Sequence, residues 1–185
     1  KALDYCLTFA QEDGSIYPAA RDKGESANYP NYTTSIVLLA LAAVNRVEDL
    51  DAMKKAREYL KHSQFNDPDK VDYGGLGYGK TGRADLSNLS WAVEALHVTE
   101  YLDREPYSKD PEAGRKTERM HRNMAIFLGK CQNLKDDGGL FYRPGESKAG
   151  NRAGEGNVTY LISSGSMTYA GLKSMIYAKL DRDDI

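Results

Sequence analysis

The chain has 185 residues, a length that one domain can close around a sizeable core, and its 25 basic and 27 acidic side chains leave a net charge of -2. That balance, with no cluster of Lys and Arg interleaved with aromatics, excludes a nucleic-acid partner. Two cysteines, Cys6 and Cys131, are too few for a disulfide framework, and the longest apolar run, IVLLALAAV over 36–44, falls well short of the roughly 18 residues a transmembrane helix needs.

Two kinds of helical periodicity alternate along the chain. The first confines its apolar residues to one stripe: Leu3, Cys6, Leu7 and Ala10; then Met53, Ala56, Leu60 and Ser63; then Met120, Met124, Phe127, Leu128 and Cys131. Steps of three and four, with Lys, Arg and Glu on the remaining faces, predict outer helices with one side in water. The second kind, over 36–44, 86–98 and 167–180, is apolar nearly all round. Such segments predict inner helices, buried on all sides or lining an enclosed space. The order outer, turn, inner therefore predicts an all-α single domain of three helical hairpins, at about 1–45, 50–99 and 115–180.

A related phrase follows each outer stripe: EDGSIY after Gln11, DYGGLGY after Gln64 and DDGGLFY after Gln132. Downstream of the glutamines Tyr17, Tyr78 and Tyr142 form one column, each three residues after a glycine, Gly14, Gly75 and Gly139. Glycine frees the backbone where a helix stops and the chain reverses, and a buried Tyr supplies a large ring with a hydroxyl for a backbone partner. A phrase present three times reads as scaffold.

The segments AREYLKHSQ…GGLGY, IFLGKCQ…GGLFY and YCLTFAQEDGSIY resemble the Gln-to-Trp repeat of the squalene–hopene cyclase and protein prenyltransferase α/α-toroid superfamily, with Tyr where cyclases usually carry Trp. ADLSNLSWAVEAL, from Ala84 to Leu96, resembles the start of that superfamily's inner helices. The resemblance implies a toroid whose inner helices line a cavity for an apolar or mixed ligand. The family's full barrel has about six hairpins, so a longer chain, or self-association with a second chain, would complete the ring. It also implies a place for the cyclase acid motif D-x-D-D. Laying Ala95-Leu96 on the family's Ala-Leu puts that motif on Asp85-Leu86-Ser87-Asn88, where only the first Asp remains. The Ser87 hydroxyl is far too weak an acid to start a proton-triggered cyclisation. The literal D-x-D-D at Asp181-Arg182-Asp183-Asp184 follows an inner segment and reads as the acidic start of another outer helix.

Asp4-Tyr5-Cys6 matches the prenyltransferase zinc triplet in letters, but none of His62, His97 and His121 stands where the family's further ligand would. No metal and no cofactor is expected. Gly74–Thr81 fits the G-x-x-x-x-G-K-[ST] spacing, but an amphipathic segment precedes it where a phosphate-binding loop needs a strand, so it reads as a turn.

In a toroid the loops before the inner helices form one mouth. There they bring Tyr78, Lys80, Arg83, Asp85 and Asn88 together with Tyr142, Arg143, Glu146 and Arg152. The functional reading is a polar rim whose arginines grip an anionic group. The structural one is that Asp85 and Ser87 cap a helix and the arginines are solvated. Residues 141–157 read as a lid or as plain linker. Glu94 and Lys173 occupy one column with Leu39, and either face each other across the cavity or point to water. Trp91, with Tyr169 and Tyr32, makes an aromatic wall suited to apolar ligands or sugar rings, or else packs the core. Asp85 and Glu94 are the candidate catalytic groups. A carbohydrate-active enzyme would need two carboxylates about 5–10 Å apart, drawn from Asp72, Asp85, Glu94 and Asp137. Three functions follow: a ligand-binding cavity, an enzyme acting on a polyprenyl or carbohydrate substrate, or a protein-interaction scaffold.

Overall fold

Helices form where the apolar periodicity calls for them. In this computed structural model, which describes residues 1–19, 29–154 and 158–180, they are α1 (Ala2–Leu7), α2 (Pro30–Val44), α3 (Leu50–His62), α4 (Leu86–Val98), α5 (Glu112–Cys131) and α6 (Gly165–Tyr177). Short 3-10 turns at Val47–Asp49 and Glu100–Asp103 follow α2 and α4. The described residues are therefore mainly α-helical, and none of their helices is long and apolar enough to cross a membrane. The motif at 181–184 lies outside them. Local chemistry fixes several ends: Pro30 opens α2 at a position needing no amide bond, Asn45 closes it in the left-handed conformation at φ 53, and Asp85 caps α4.

α2 packs on α4 and α4 on α6, so the three apolar helices lie in a row. The amphipathic helices cover one side of that row, α3 against α2 and α4, and α5 against α3 and α4. Met53, Ala56 and Leu60 of α3, and Met120, Met124, Phe127, Leu128 and Cys131 of α5, are buried as their stripes require, together with Leu38, Leu41, Leu89, Val93 and Leu96 of the row. Burial pushes the Cys131 thiol up to about 12, which makes it an inert core residue.

Three expectations are corrected. α1 is a six-residue helix with no buried residue, packed among the described elements chiefly on α2. The apolar helices are not dry on every side: Tyr32, Ala40, Ala43 and Val44 of α2 are exposed, as are Tyr169, Leu172 and Ile176 of α6, because α3 and α5 cover only one side of the row. Residues 141–154, within the loop read as lid or plain linker, are not plain linker. They lead through an Arg143–Glu146 bridge into β1 (Asn151–Ala153), which pairs antiparallel with β2 (Thr159–Leu161), Arg152 opposite Tyr160.

The three turns share one hydrogen-bond pattern. The amides of Gln11, Phe65 and Asn133 donate to the carbonyls of Ser15, Gly75 and Gly139 at 2.8, 3.0 and 2.8 Å. The amides of Gly14, Gly74 and Gly138 donate back to Gln11, Phe65 and Asn133. Equivalence therefore runs Gly14, Gly74, Gly138, all in the left-handed region at φ +88, +84 and +71, and then Ile16, Leu76, Leu140, all buried. The expected columns slip by one residue in the first turn, where Gln11 stands one place beyond Gln64 and Gln132, and Pro18 takes the place of Tyr78 and Tyr142. The inter-hairpin bonds repeat as well. Asn31 at the start of α2 donates its amide to Tyr78 at 2.9 Å, and Leu86 at the start of α4 donates to Tyr142 at 2.8 Å.

The same turn position should respond differently to a methyl group. An added Cβ at Gly138 meets nothing within 4 Å, so Gly138→Ala should lose only the left-handed penalty, about 1–2 kcal/mol. At Gly74 the Cβ would lie 1.9 Å from the Asn123 carbonyl oxygen on α5. Gly74→Ala should therefore cost about 4 kcal/mol or more. Urea unfolding of both variants measures the difference; equal losses would contradict the assigned register.

Candidate functional site

Five of the residues expected at the mouth line one cleft of about 260 Å³ at the start of α4: Tyr78, Arg83, Asp85, Tyr142 and Arg143. The turn from the second hairpin and the loop from the third meet there because Arg83 pairs with Glu146 at 3.4 Å and Arg143 with Asp72 at 3.3 Å. Asp85 is buried and satisfied by its own helix. Its carboxylate accepts the Asn88 amide at 2.9 Å and the Asn88 side-chain Nδ2 at 2.7 Å. Burial raises its pKa above the ordinary carboxylate range, opposed by those bonds and by the Tyr142 hydroxyl. The Tyr142 hydroxyl is itself pushed up by burial and by the Asp85 charge beside it. Tyr78 packs at a tilt against Tyr29, ring centres 4.5 Å apart, and completes the aromatic side of the cleft. Arg143 is largely buried and keeps its Nε without a partner among the described residues, so one donor at this cleft stays uncommitted.

The rest of the expected site divides. Arg152 is not at the mouth. It lies on β1, paired with Asp136 at 2.8 Å and over the Tyr160 ring at 5.2 Å, because the β-hairpin carries it away. Lys80 is also taken up structurally, by Asp13 at 3.0 Å and the Tyr59 ring at 4.6 Å, so the sequence at Gly74–Thr81 forms a turn and opens no helix. Asp4 is bound by Arg46 at 2.7 Å. Among the described residues no three His, Cys, Asp or Glu side chains come together to hold a metal ion.

On the open face of the helix row a second group assembles. Lys173 of α6 and Glu94 of α4 form an ion pair at 2.7 Å, about four-fifths buried on both sides. Lys173 also lies 5.1 Å from the Trp91 ring and 6.0 Å from that of Tyr169, and Tyr32 of α2 meets Trp91 edge-on at 6.3 Å. The result is an aromatic wall with one neutralised charge pair set into it. Leu39, which shares the column of Glu94 and Lys173 in α2, is partly buried against the hydrophobic core.

The two candidate catalytic carboxylates do not converge. Asp85 and Glu94 are nine residues apart on one helix, about 13 Å along its axis. Asp72 is held by Arg143 and by the Ala84 amide at 3.0 Å, and Asp137 by Ser163 and the Gly139 amide in the third turn.

One network was not anticipated. Asp103 is buried between Arg57 and Lys61 of α3 and Thr117 of α5. Arg57 continues to the Leu96 carbonyl at 2.7 Å, at the end of α4. In the sequence Arg57 and Lys61 sit beside the apolar stripe of α3, four residues apart on one flank, as solvated boundary charges would. The partner that buries them is some forty residues away. No family model matches the sequence and a search of curated proteins finds no match, so the chemistry of these sites rests on their geometry.

Proposed function

We propose that the chain is an arc of an α/α-toroid of the squalene–hopene cyclase and prenyltransferase type, α1, α3 and α5 outside and α2, α4 and α6 inside, that binds a ligand with an apolar body and a polar head. The reading rests on one observation: the uncovered face of the apolar row carries Tyr32, Trp91 and Tyr169 around the Glu94–Lys173 pair. An exposed apolar face with a few fixed polar groups is the ordinary composition of a ligand wall. The cleft of Asp85, Tyr142 and Arg143 opens at the head of α4, and Trp91 stands six residues on, about 9 Å along the helix. A chain lying on the wall would bring its head to that cleft.

This is a binding function. Asp85 caps α4 through both of its oxygens, and Ser87 and Asn88 supply no acid, so the family's acid position holds no group free to deliver a proton to an alkene. The separation of Asp85 from Glu94 likewise disfavours a glycosidase. A prenyl alcohol and its phosphate are the probes, read by the emission of Trp91, the only Trp in the chain. Saturable change with a blue shift is expected as Trp91 loses water, and Tyr169→Ser should weaken it about tenfold, the cost of one partly buried ring. Emission that stays linear in concentration for both probes would rule the reading out.

A further inference from the structure

The row α2, α4, α6 has two ends, and its own interior contacts record what each end is built to meet. The recurring bonds fix the register: Asn31 and Leu86 make the same bond to the following hairpin, and the hydroxyls of Thr34 and Thr168 accept the amides of the equivalent Ile16 and Leu140 at 2.8 and 2.9 Å. Counting from these, the side of α2 turned to the next helix carries Ser35 and Leu38, and that of α4 carries Ser90 and Val93, all buried. The same places in α6 are Tyr169, Leu172 and, one turn further, Ile176. These three are 67%, 55% and 64% exposed and lie at steps of three and four on a single stripe.

The opposite side repeats in the same way. By the same count the opposite side of α4 carries Ala92, Ala95 and Thr99, and that of α6 carries Gly171, Ser174 and Ala178, all small and all buried, with Thr99 turned to Arg57 of α3 and Gly171 set against Leu140. The equivalents on α2 are Val37, Ala40 and Val44, of which Ala40 is exposed and Val44 is 57% exposed. The α6 edge is bulkier than its inner counterparts, with Tyr169 where α2 and α4 carry Ser35 and Ser90, while the α2 edge keeps smaller side chains at the places that α4 and α6 bury. Gly165, where Asn31 and Leu86 donate to the next hairpin, has no such acceptor among the described residues.

We propose that the α6 edge docks the α2 edge of a second copy of this chain, head to tail. The partner's chemistry is read from inside the molecule: a helix offering a small-residue stripe, which Val37, Ala40 and Val44 provide. Packing of this kind is additive between neighbouring repeats, and an end left bare exposes the surface that its interior equivalents bury. Because the two edges differ, the contact is heterologous, and each copy uses both edges at once. Tyr169 belongs to both this edge and the proposed ligand wall, so docking is tested at Leu172 and Ala40, which the wall does not use.

Sedimentation velocity of the purified chain tests it. The expected result is a mass of two or more copies of 20.5 kDa, reduced to one by Leu172→Glu on α6 and equally by Ala40→Glu on α2. Both substitutions sit on exposed positions, and circular dichroism should show the helices unchanged. Mixing the two variants should restore a two-copy species, since the first retains a sound α2 edge and the second a sound α6 edge. A wild-type monomer overturns the proposal. A further variant, Ile176→Cys, then tells a bare edge, which reacts with a maleimide, from one covered by another segment or protein, which does not. Association that neither substitution disturbs, or a mixture that stays monomeric, overturns it as well.

Discussion

Replacing Asp103 with Ala should remove about 3–5 kcal/mol of stability, the cost of leaving buried cations without their counter-charge. Asp103 is the hub at which three helices meet. Its carboxylate takes Arg57 through both Nε and Nη2, Lys61 at 2.8 Å and the Thr117 hydroxyl at 2.8 Å. The Arg57 side chain is fully buried and Lys61 nearly so. Among the described residues Glu58, at 3.0 Å from Lys61 and more exposed, would be the remaining ion-pair partner, with Asp110 acting on Lys61 from further off. Arg57 also donates to the Leu96 carbonyl and to Thr99 at the end of α4, so its position fixes how α4 meets α3. A domain of this size loses about 2–4 °C of midpoint per kcal/mol, so the melting temperature should fall by about 10 °C. Lys61→Met should be far milder, because the Arg57–Asp103 pair survives it and the lysine stem is replaced by an apolar side chain of similar length. Equilibrium unfolding of both variants decides the matter: a loss below about 1 kcal/mol for Asp103→Ala would show the hub to be solvated.

The hub also marks where reading the sequence stops. Periodicity over 86–98 gives α4 to its ends, because an Asp cap at one end and the loss of apolar residues at the other are both local signals. The Glu94–Lys173 contact was legible for a related reason: aligned repeats convert sequence position into spatial position. Of its two readings, the structure selects the facing pair. Five of the mouth residues were legible through the loops that carry them. Arg152 was misplaced because three-residue strands are too short to show alternation, and the hairpin they form swings it out of the loop. The first turn slipped by one residue because glutamine was taken as the anchor, whereas the backbone is anchored by the left-handed glycine. Gly14, Gly74 and Gly138 must stand where φ is positive, while a Gln side chain reaches its carbonyl from more than one place. The wall of Tyr32, Trp91 and Tyr169 was legible as one of two readings, but the exposure of Ala40, Leu172 and Ile176 was not. An apolar residue waiting for a partner and one already packed are written with the same letter.

Acid should destabilise the chain in a window set by His121. The ring sits on α5 against the turn after α4 and the residues after α6, and its Nε2 is buried without a hydrogen-bond partner among the described residues. Burial lowers its pKa from 6.5 to about 4. The charges around it nearly cancel: Glu100 favours the proton, while Lys179, His97 and Arg57 oppose it, so desolvation decides the direction. The sign follows from linkage. The unfolded chain takes up a proton at this residue near pH 6.5 and the folded chain does so only near 4, so the stabilisation is complete above 6.5 and is lost progressively as pH falls between those values. The loss should reach about 2–3 kcal/mol after allowance for partial water access. Asp103, whose pKa is lowered by the charges of Arg57 and Lys61 against the cost of burial, loses its contribution only below the ordinary carboxylate range, so the two windows separate. Asp85 acts in the opposite sense, since its raised pKa favours the protonated folded form. Comparison of wild type with His121→Leu isolates the histidine. The variant should unfold in urea with a midpoint nearly flat between pH 6.5 and 4, where the wild type declines. Parallel curves for the two proteins would mean that His121 is hydrated in solution, and that the contact between α5 and the end of α6 opens readily enough to admit water to the ring.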